Sequence, residues 1–320
     1  MKIKCFVFLG LMAIAPVALG QAKDFPNRPV KFVAPFAPGS GADTLGRFFG
    51  DQLAKVIGQP VIVENRPGAS GAVGAVAVKN APADGYTVLV AGWSAQSVSP
   101  ITVKNLPYDP IADFKPISGL LRSPTGFVVP TDSKLKTLAD LVATAKKQQK
   151  LLNVGTISEG QQIVLAWFSG LAGVKFMNIP YKSGGQMLTD LIGNQIDMAL
   201  EGQPAFGALV EAGKLRALAV AAEDRGARFP DVPTFRESGY PKFVNYGWAG
   251  LYVRSQTPDD VTAVLAGGMQ KVLASNAARE FAKKLGSELM LFGPAAQRKY
   301  EADQLATFRR VAKAAGIKAK

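Results

Sequence analysis

The sequence predicts an α/β protein built on mostly parallel sheets and divided into two lobes. Three observations carry that reading. Short apolar runs rich in β-branched residues alternate with stretches of helical periodicity. Glycine- and hydroxyl-bearing turns follow the strands, where open α/β sheets bind ligands. The 320 residues also exceed what one compact core comfortably holds, and with 48% apolar against 19% charged residues the chain can bury such cores rather than stay disordered.

Taken in order, strands are expected at 30–36, 60–64, 86–91, 126–130, 151–155, 175–180, 196–200 and 215–221. The first helix is expected over 44–57, with Leu45, Phe48, Phe49, Leu53 and Val56 on one face and Gly58 as its stop. A second spans 72–79. A helix opening near Gln161 carries Val164, Trp167, Phe168 and Leu171 as its apolar face. The run at 114–121 leads through Arg122-Ser123-Pro124-Thr125 to a fresh strand, and 246–252 resumes strand character after a Pro- and Gly-rich stretch, so the chain is expected to cross between lobes twice.

The turns are the chemistry-bearing parts. Phe36 to Asp43 joins the first strand to the first helix, and Gly39 and Gly41 let backbone N–H groups approach a ligand closely. A helix start leaves those donors unpaired, with a partial positive charge behind them, so a carboxylate is a natural occupant. Ser40 or Asp43 can equally cap the helix. Comparable turns are Asn65 to Gly71, Gly92 to Ser97, Gly155 to Gln161, and Tyr181 to Gln186. Ser158 with Gln161, and Ser183 with Gln186, have capping-box spacing. Trp93 sits in a strand-end loop, where a core tryptophan is less expected than in a strand.

Composition removes whole classes of activity. The chain has no histidine, which excludes Ser-His-Asp and Cys-His relays and histidine-ligated metal sites. No metal or cofactor is expected. Its one cysteine, Cys5, lies in an opening that runs from Lys2 and Lys4 through an apolar stretch to small residues at Ala18, Gly20 and Ala22, the order of a cleaved export signal over residues 1–22. Removing that segment leaves 35 basic against 24 acidic residues, a net charge of about +11, scattered singly. No basic stripe interleaved with aromatics points to nucleic acid. A small anion suits the positive field better.

Two enzyme-like patterns are weaker. Gly39 and Gly41 with Glu64 resemble a dinucleotide fingerprint, but Thr44 stands where its third glycine belongs. Asp43 and Glu201 would suit glycoside chemistry only if the fold brought them together.

The segments 25–30, 35–43, 63–69, 83–87, 106–110, 180–184 and 213–220 together resemble the Bug family, the periplasmic solute-binding proteins of tripartite tricarboxylate transporters. Phe25-Pro26-Asn27-Arg28-Pro29, Pro35-Phe36-Ala37-Pro38-Gly39 and Pro180-Tyr181-Lys182-Ser183-Gly184 are among the motifs that carry the likeness, which runs from Phe25 to the C-terminus. It implies a two-lobed type II periplasmic-binding-protein fold, with residues 23–124 and 248–320 forming lobe one and 125–247 lobe two. A ligand cleft lies between them. It also implies a non-catalytic, monomeric protein that delivers a small carboxylate to membrane permease subunits. The ligand contacts it implies are Ser40, Gly41, Ala42 and Asp43; Trp93, Ser94 and Ala95; Thr156, Ser158 and Gln161; Tyr181 and Ser183; and Glu201.

Departures from the family pattern bear on the ligand. Ser40 interrupts consecutive glycines, Ala42 replaces a threonine, Trp93 replaces a hydroxyl, and Glu201 stands for an aspartate. An indole there either stacks on an aromatic acid or fills space a dicarboxylate would use, so an aromatic or amide-bearing acid is expected. The other readings are an exported carboxylate-dependent enzyme, a lyase or hydrolase, and a binding protein that feeds a membrane sensor.

Overall fold

The computed structural model describes residues 24–147 and 151–320; the expected export signal and Cys5 lie outside the described residues. In chain order the elements are β1 (Val30–Ala34), α1 (Gly41–Ile57), β2 (Val61–Asn65), a 3-10 turn (Ala69–Gly71), α2 (Ala72–Lys79), β3 (Thr87–Gly92), a π-helical turn (Ser94–Val98), α3 (Ser99–Thr102) and the long β4 (Phe114–Pro130). Then come α4 (Leu138–Lys147), β5 (Leu152–Thr156), α5 (Glu159–Ala172), β6 (Phe176–Pro180), α6 (Gly184–Ile192), β7 (Met198–Gly202), α7 (Gln203–Glu211) and β8 (Leu215–Val220). The chain closes with β9 (Tyr246–Arg254), α8 (Asp259–Leu273), α9 (Asn276–Lys284), β10 (Glu288–Leu289) and α10 (Pro294–Ala314).

Two lobes share one strand order. The first reads β2-β1-β3-β9-β4 and the second β6-β5-β7-β4-β8. In each, three strands are parallel: β1 with β2 and β3, and β5 with β6 and β7. The sheets are therefore mixed, because β4 and β9 cross between the lobes and run against their neighbours. Strand β4 pairs with β9 as far as Pro124 and takes up β7 and β8 from Thr125 and Gly126 onward.

Local chemistry accounts for the element ends. Ser40 caps α1 in extended geometry (φ −68°, ψ 164°), so the helix starts at Gly41 rather than Thr44. It stops at Gly58, whose φ of 71° is left-handed. Strand β7 begins at Met198 rather than 196 and ends at Gly202, which brings Glu201 to the strand's C-terminal end. On α5, Val164 and Phe168 are fully buried, but Leu171 is 40% exposed and does not join the apolar face expected of it.

Phe32, Phe49, Leu53 and Leu265 fill lobe one. Phe127, Phe168, Phe235 and Phe243 form an aromatic cluster in lobe two, with ring centroids 4.6–6.5 Å apart. Burying each such ring contributes about 2 to 3 kcal/mol. That lobe-two core also takes in Val98 from the π-helical turn and Phe308 and Val311 from α10, with Trp93 packed beside them. Helix α10 starts against lobe one, where Tyr300 meets Trp248 edge-on at 5.8 Å, and ends in the other lobe's core.

Candidate functional site

The first loop is held by a carboxylate rather than left open. Asp43 is buried; its Oδ2 accepts from the Gly39 N–H at 2.9 Å and from Arg47 Nε at 3.2 Å, and its Oδ1 accepts from Asn65 Nδ2 at 2.9 Å. Ser40 Oγ accepts from the Asp43 N–H at 3.3 Å. The bond from Arg47, then the Gly39 amide, holds the Asp43 carboxyl down to about 2. Both capping readings are thus realised at once, and the N–H groups of Gly41 and Ala42, the first two of α1, have no partner among the described residues.

In lobe two, Ser158 Oγ accepts from the Gln161 N–H at 3.3 Å, and Gln161 Oε1 accepts from the Ile157 N–H at 2.6 Å. The reciprocal bond of the capping box thus reaches one residue further back than the Ser158 amide. Gln161 Nε2 then donates to Glu201 Oε1 at 3.2 Å, which also accepts from the Gly202 N–H at 2.7 Å. Glu201 Oε2 has no hydrogen-bond partner among the described residues and stands 3.3 Å from where a Cβ on Gly184 would be. Burial pushes the Glu201 carboxyl above its ordinary value, against the pull of the Gly202 and Gln161 donors. Ser183 caps α6 by accepting from the Gln186 N–H at 3.3 Å. The starts of α5 and α6 therefore face one buried carboxylate, and the Glu159, Gly160, Gly184 and Gly185 amides are free of helical partners.

Two residues point their polar atoms elsewhere. Thr156 is fully buried and its hydroxyl donates to Asn178 Oδ1 at 2.7 Å, so its proton is already engaged. Burial, and then the Asp190 carboxylate, raise the Tyr181 phenol. Asp190 lies more than a turn along α6, away from the helix start.

The loop after β3 joins the lobes. Trp93 Cη2 and Cζ3 stand 3.1 and 3.2 Å from where a Cβ on Gly160 would be, so the indole lies against the first turn of α5. Ala95 is buried and its carbonyl accepts from the Tyr108 hydroxyl at 2.8 Å; Ser94 is half-buried. Gln96 and Ser97 follow, fully buried, with side-chain polar atoms lacking a partner among the described residues. Such groups are uncommon in folded proteins and mark this turn.

Of the residues expected at the site, Trp93, Ser158, Gln161, Ser183 and Glu201 thus belong to one chain of contacts. The side-chain hydrogen bonds of Ser40 and Asp43 stay within lobe one among the described residues, and Asp43 and Glu201 belong to separate networks rather than to a carboxylate pair. Sequence reasoning missed Asn178 and Arg47, and named the turns that hold Asn65 and Gln96 without singling those residues out. Arg47 was findable from its i,i+4 spacing to Asp43, whereas Asn178 depends on the β5–β6 register, in which it lies opposite Val154. Open cavities of about 610 and 940 Å³ lie on lobe two and beside α10, lined by none of the expected residues.

A family model described as tripartite tricarboxylate transporter family receptor matches residues 45–317. Protein BugT of Bordetella pertussis is 31% identical over 318 residues, covering 98% of this chain and 97% of its own. The periplasmic binding protein BugD superposes with a TM-score of 0.76 at 29% identity, covering 92% of this chain and 100% of its own. The R. palustris protein Rpa4515, solved with adipate, gives a TM-score of 0.80 at 28% identity, covering 93% and 100%. With its two-lobed fold and these matches, the chain belongs to the tripartite tricarboxylate transporter receptor family, a family of solute-binding receptors and not of enzymes.

Proposed function

We propose that this chain captures a small organic acid between its lobes in the periplasm and hands it, unaltered, to a membrane permease. The lobes divide between Pro124 and Thr125 and between Gly247 and Trp248. The observation that carries the reading is the convergence of four strand-to-helix junctions from both lobes, those after β3, β5, β6 and β7: Trp93 on Gly160, Gln161 on Glu201, and Glu201 beside Gly184. Unpaired amides at helix starts bind a carboxylate by dipole and hydrogen bond without a salt bridge, and more strongly once closure removes water. On this reading the Gly41 and Ala42 amides meet the acid from lobe one, with Ser94 beside them, and the α5 and α6 starts from lobe two. The relative solved with adipate supports a carboxylate, with linear dicarboxylates the first class to test and aromatic and amide-bearing acids beside them.

The test is a thermal-shift panel of these acids on the mature chain, followed by NMR of each stabilising acid after incubation. A ligand that prefers the folded state stabilises it by about 2.7 kcal/mol at a hundredfold excess over Kd. The expected result is one acid bound per chain and recovered unchanged. Chemical conversion, or no shift with any acid, contradicts the proposal; capture of a membrane sensor instead of a permease would overturn the delivery step alone.

A further inference from the structure

The indole of Trp93 occupies a slot with a glycine on each side. Its six-membered edge abuts Gly160, in the first turn of α5, at the 3.1 and 3.2 Å given above. Its other edge faces the crossing strand: Nε1 and Cε2 stand 3.7 and 3.8 Å from where a Cβ on Gly247 would be. Phe308 holds it edge-on at 6.1 Å. A side chain at residue 160 would collide with the ring, and also with Val98 Cγ2 at 2.9 Å. The indole thus spans from the crossing strand to the start of a lobe-two helix, across the space between the lobes.

Its N–H is also unspent. The Trp248 Nε1 donates to Gln304 Oε1 at 2.6 Å, whereas Trp93 Nε1 has no hydrogen bond among the described residues. A large flat side chain therefore stands with its six-membered edge on Gly160 and its free neutral donor on the opposite edge, beside Gly247.

We infer that Trp93 is the specificity-determining residue of the site: its indole is a stop that limits the length of acid the α5 helix start accepts, and its N–H is a donor to that acid. This rests on the function proposed above. An acid whose carboxylate sits at the α5 start shares that start with the ring, so each added methylene competes with the indole for the same space. In such a pocket one methylene changes affinity by about tenfold or more. Trp93→Ala removes both ring and donor; Trp93→Phe keeps a shorter ring on Phe308 and removes the donor.

The experiment is calorimetric titration of the mature wild type, W93A and W93F with malonate, succinate, glutarate and adipate, each variant first checked for native circular dichroism. The expected result is that W93A raises adipate affinity relative to malonate by about tenfold over wild type. W93F should fall between the two and, if W93A does not fold, decides the matter alone. The same length ranking in wild type and the folded variants overturns the stop while leaving the receptor reading intact. Binding of no acid by wild type or by either variant overturns that reading and the stop with it.

Discussion

At Glu201, burial and hydrogen bonding pull in opposite directions, and burial wins: the carboxyl titrates above its ordinary value while Oε2 has no partner among the described residues. Ionised, that oxygen repels an incoming carboxylate; protonated, it donates to one. The sign follows from the raised value, since the proton is held to higher pH than usual and the attractive form prevails on the acid side. Affinity for an acid should therefore fall as pH rises above the ordinary carboxylate range, and Glu201→Gln should flatten that profile, as read by calorimetry over a pH series. Asp43 makes the opposite case, because its carboxyl is held down to about 2 by Arg47, Gly39 and Asn65 and stays ionised throughout. Asp43→Ala removes the reciprocal cap of α1 together with its bonds from Gly39, Arg47 and Asn65, so chemical denaturation should read a loss of about 1 kcal/mol. The capping serines and Asp43 could be read from spacing alone. The committed hydroxyl of Thr156 could not, because its partner Asn178 is supplied by strand register.

Among the elements, the strand-to-helix loops differ in how much room they leave. At Gly92, the end of β3, a Cβ would stand 2.0 Å from the Trp248 carbonyl oxygen, where β3 pairs with β9. At Gly41, nothing lies within 4 Å. Gly92→Ala should lower the melting temperature by several degrees or prevent folding, while Gly41→Ala should leave it unchanged or slightly higher, because alanine is the better helix former. Helix α10 adds a titration. Glu301 is 1% exposed, and burial pushes its carboxyl up to about 7, against the Tyr252 hydroxyl and the Arg298 guanidinium at 3.0 Å. Between the ordinary value of 4.5 and about 7 the folded chain holds a proton that the unfolded chain has released, so stability falls as pH rises through that window. The total is at most about 3 kcal/mol. Glu301→Gln should make the slope in melting temperature measured from about pH 5 to about pH 8 shallower.

For the whole molecule, the alternation of strands and helices was legible because each element carries its own period and its own glycine or serine boundary, as α1 does between Ser40 and Gly58. The mixed sheets were not, since antiparallel pairing arises only when β4 and β9 cross between lobes and run against strands distant in sequence. The same limit hid the sharing of cores. Trp93 and Val98 precede β4 and Phe308 and Val311 follow β9, yet all four pack into the lobe-two core, and no local pattern announces a contact between Trp93 and Gly160.

The most direct test of the account follows backbone amides by nitrogen-proton NMR while a bound acid from the thermal-shift panel is titrated into the mature chain. Helix-start amides of both lobes, those of Gly41, Ala42, Glu159, Gly160, Gly184 and Gly185, should shift together and saturate at one acid per chain. Shifts confined to one lobe, or to the cavity of about 940 Å³ lined by Lys175, Lys242 and Arg310, would contradict it.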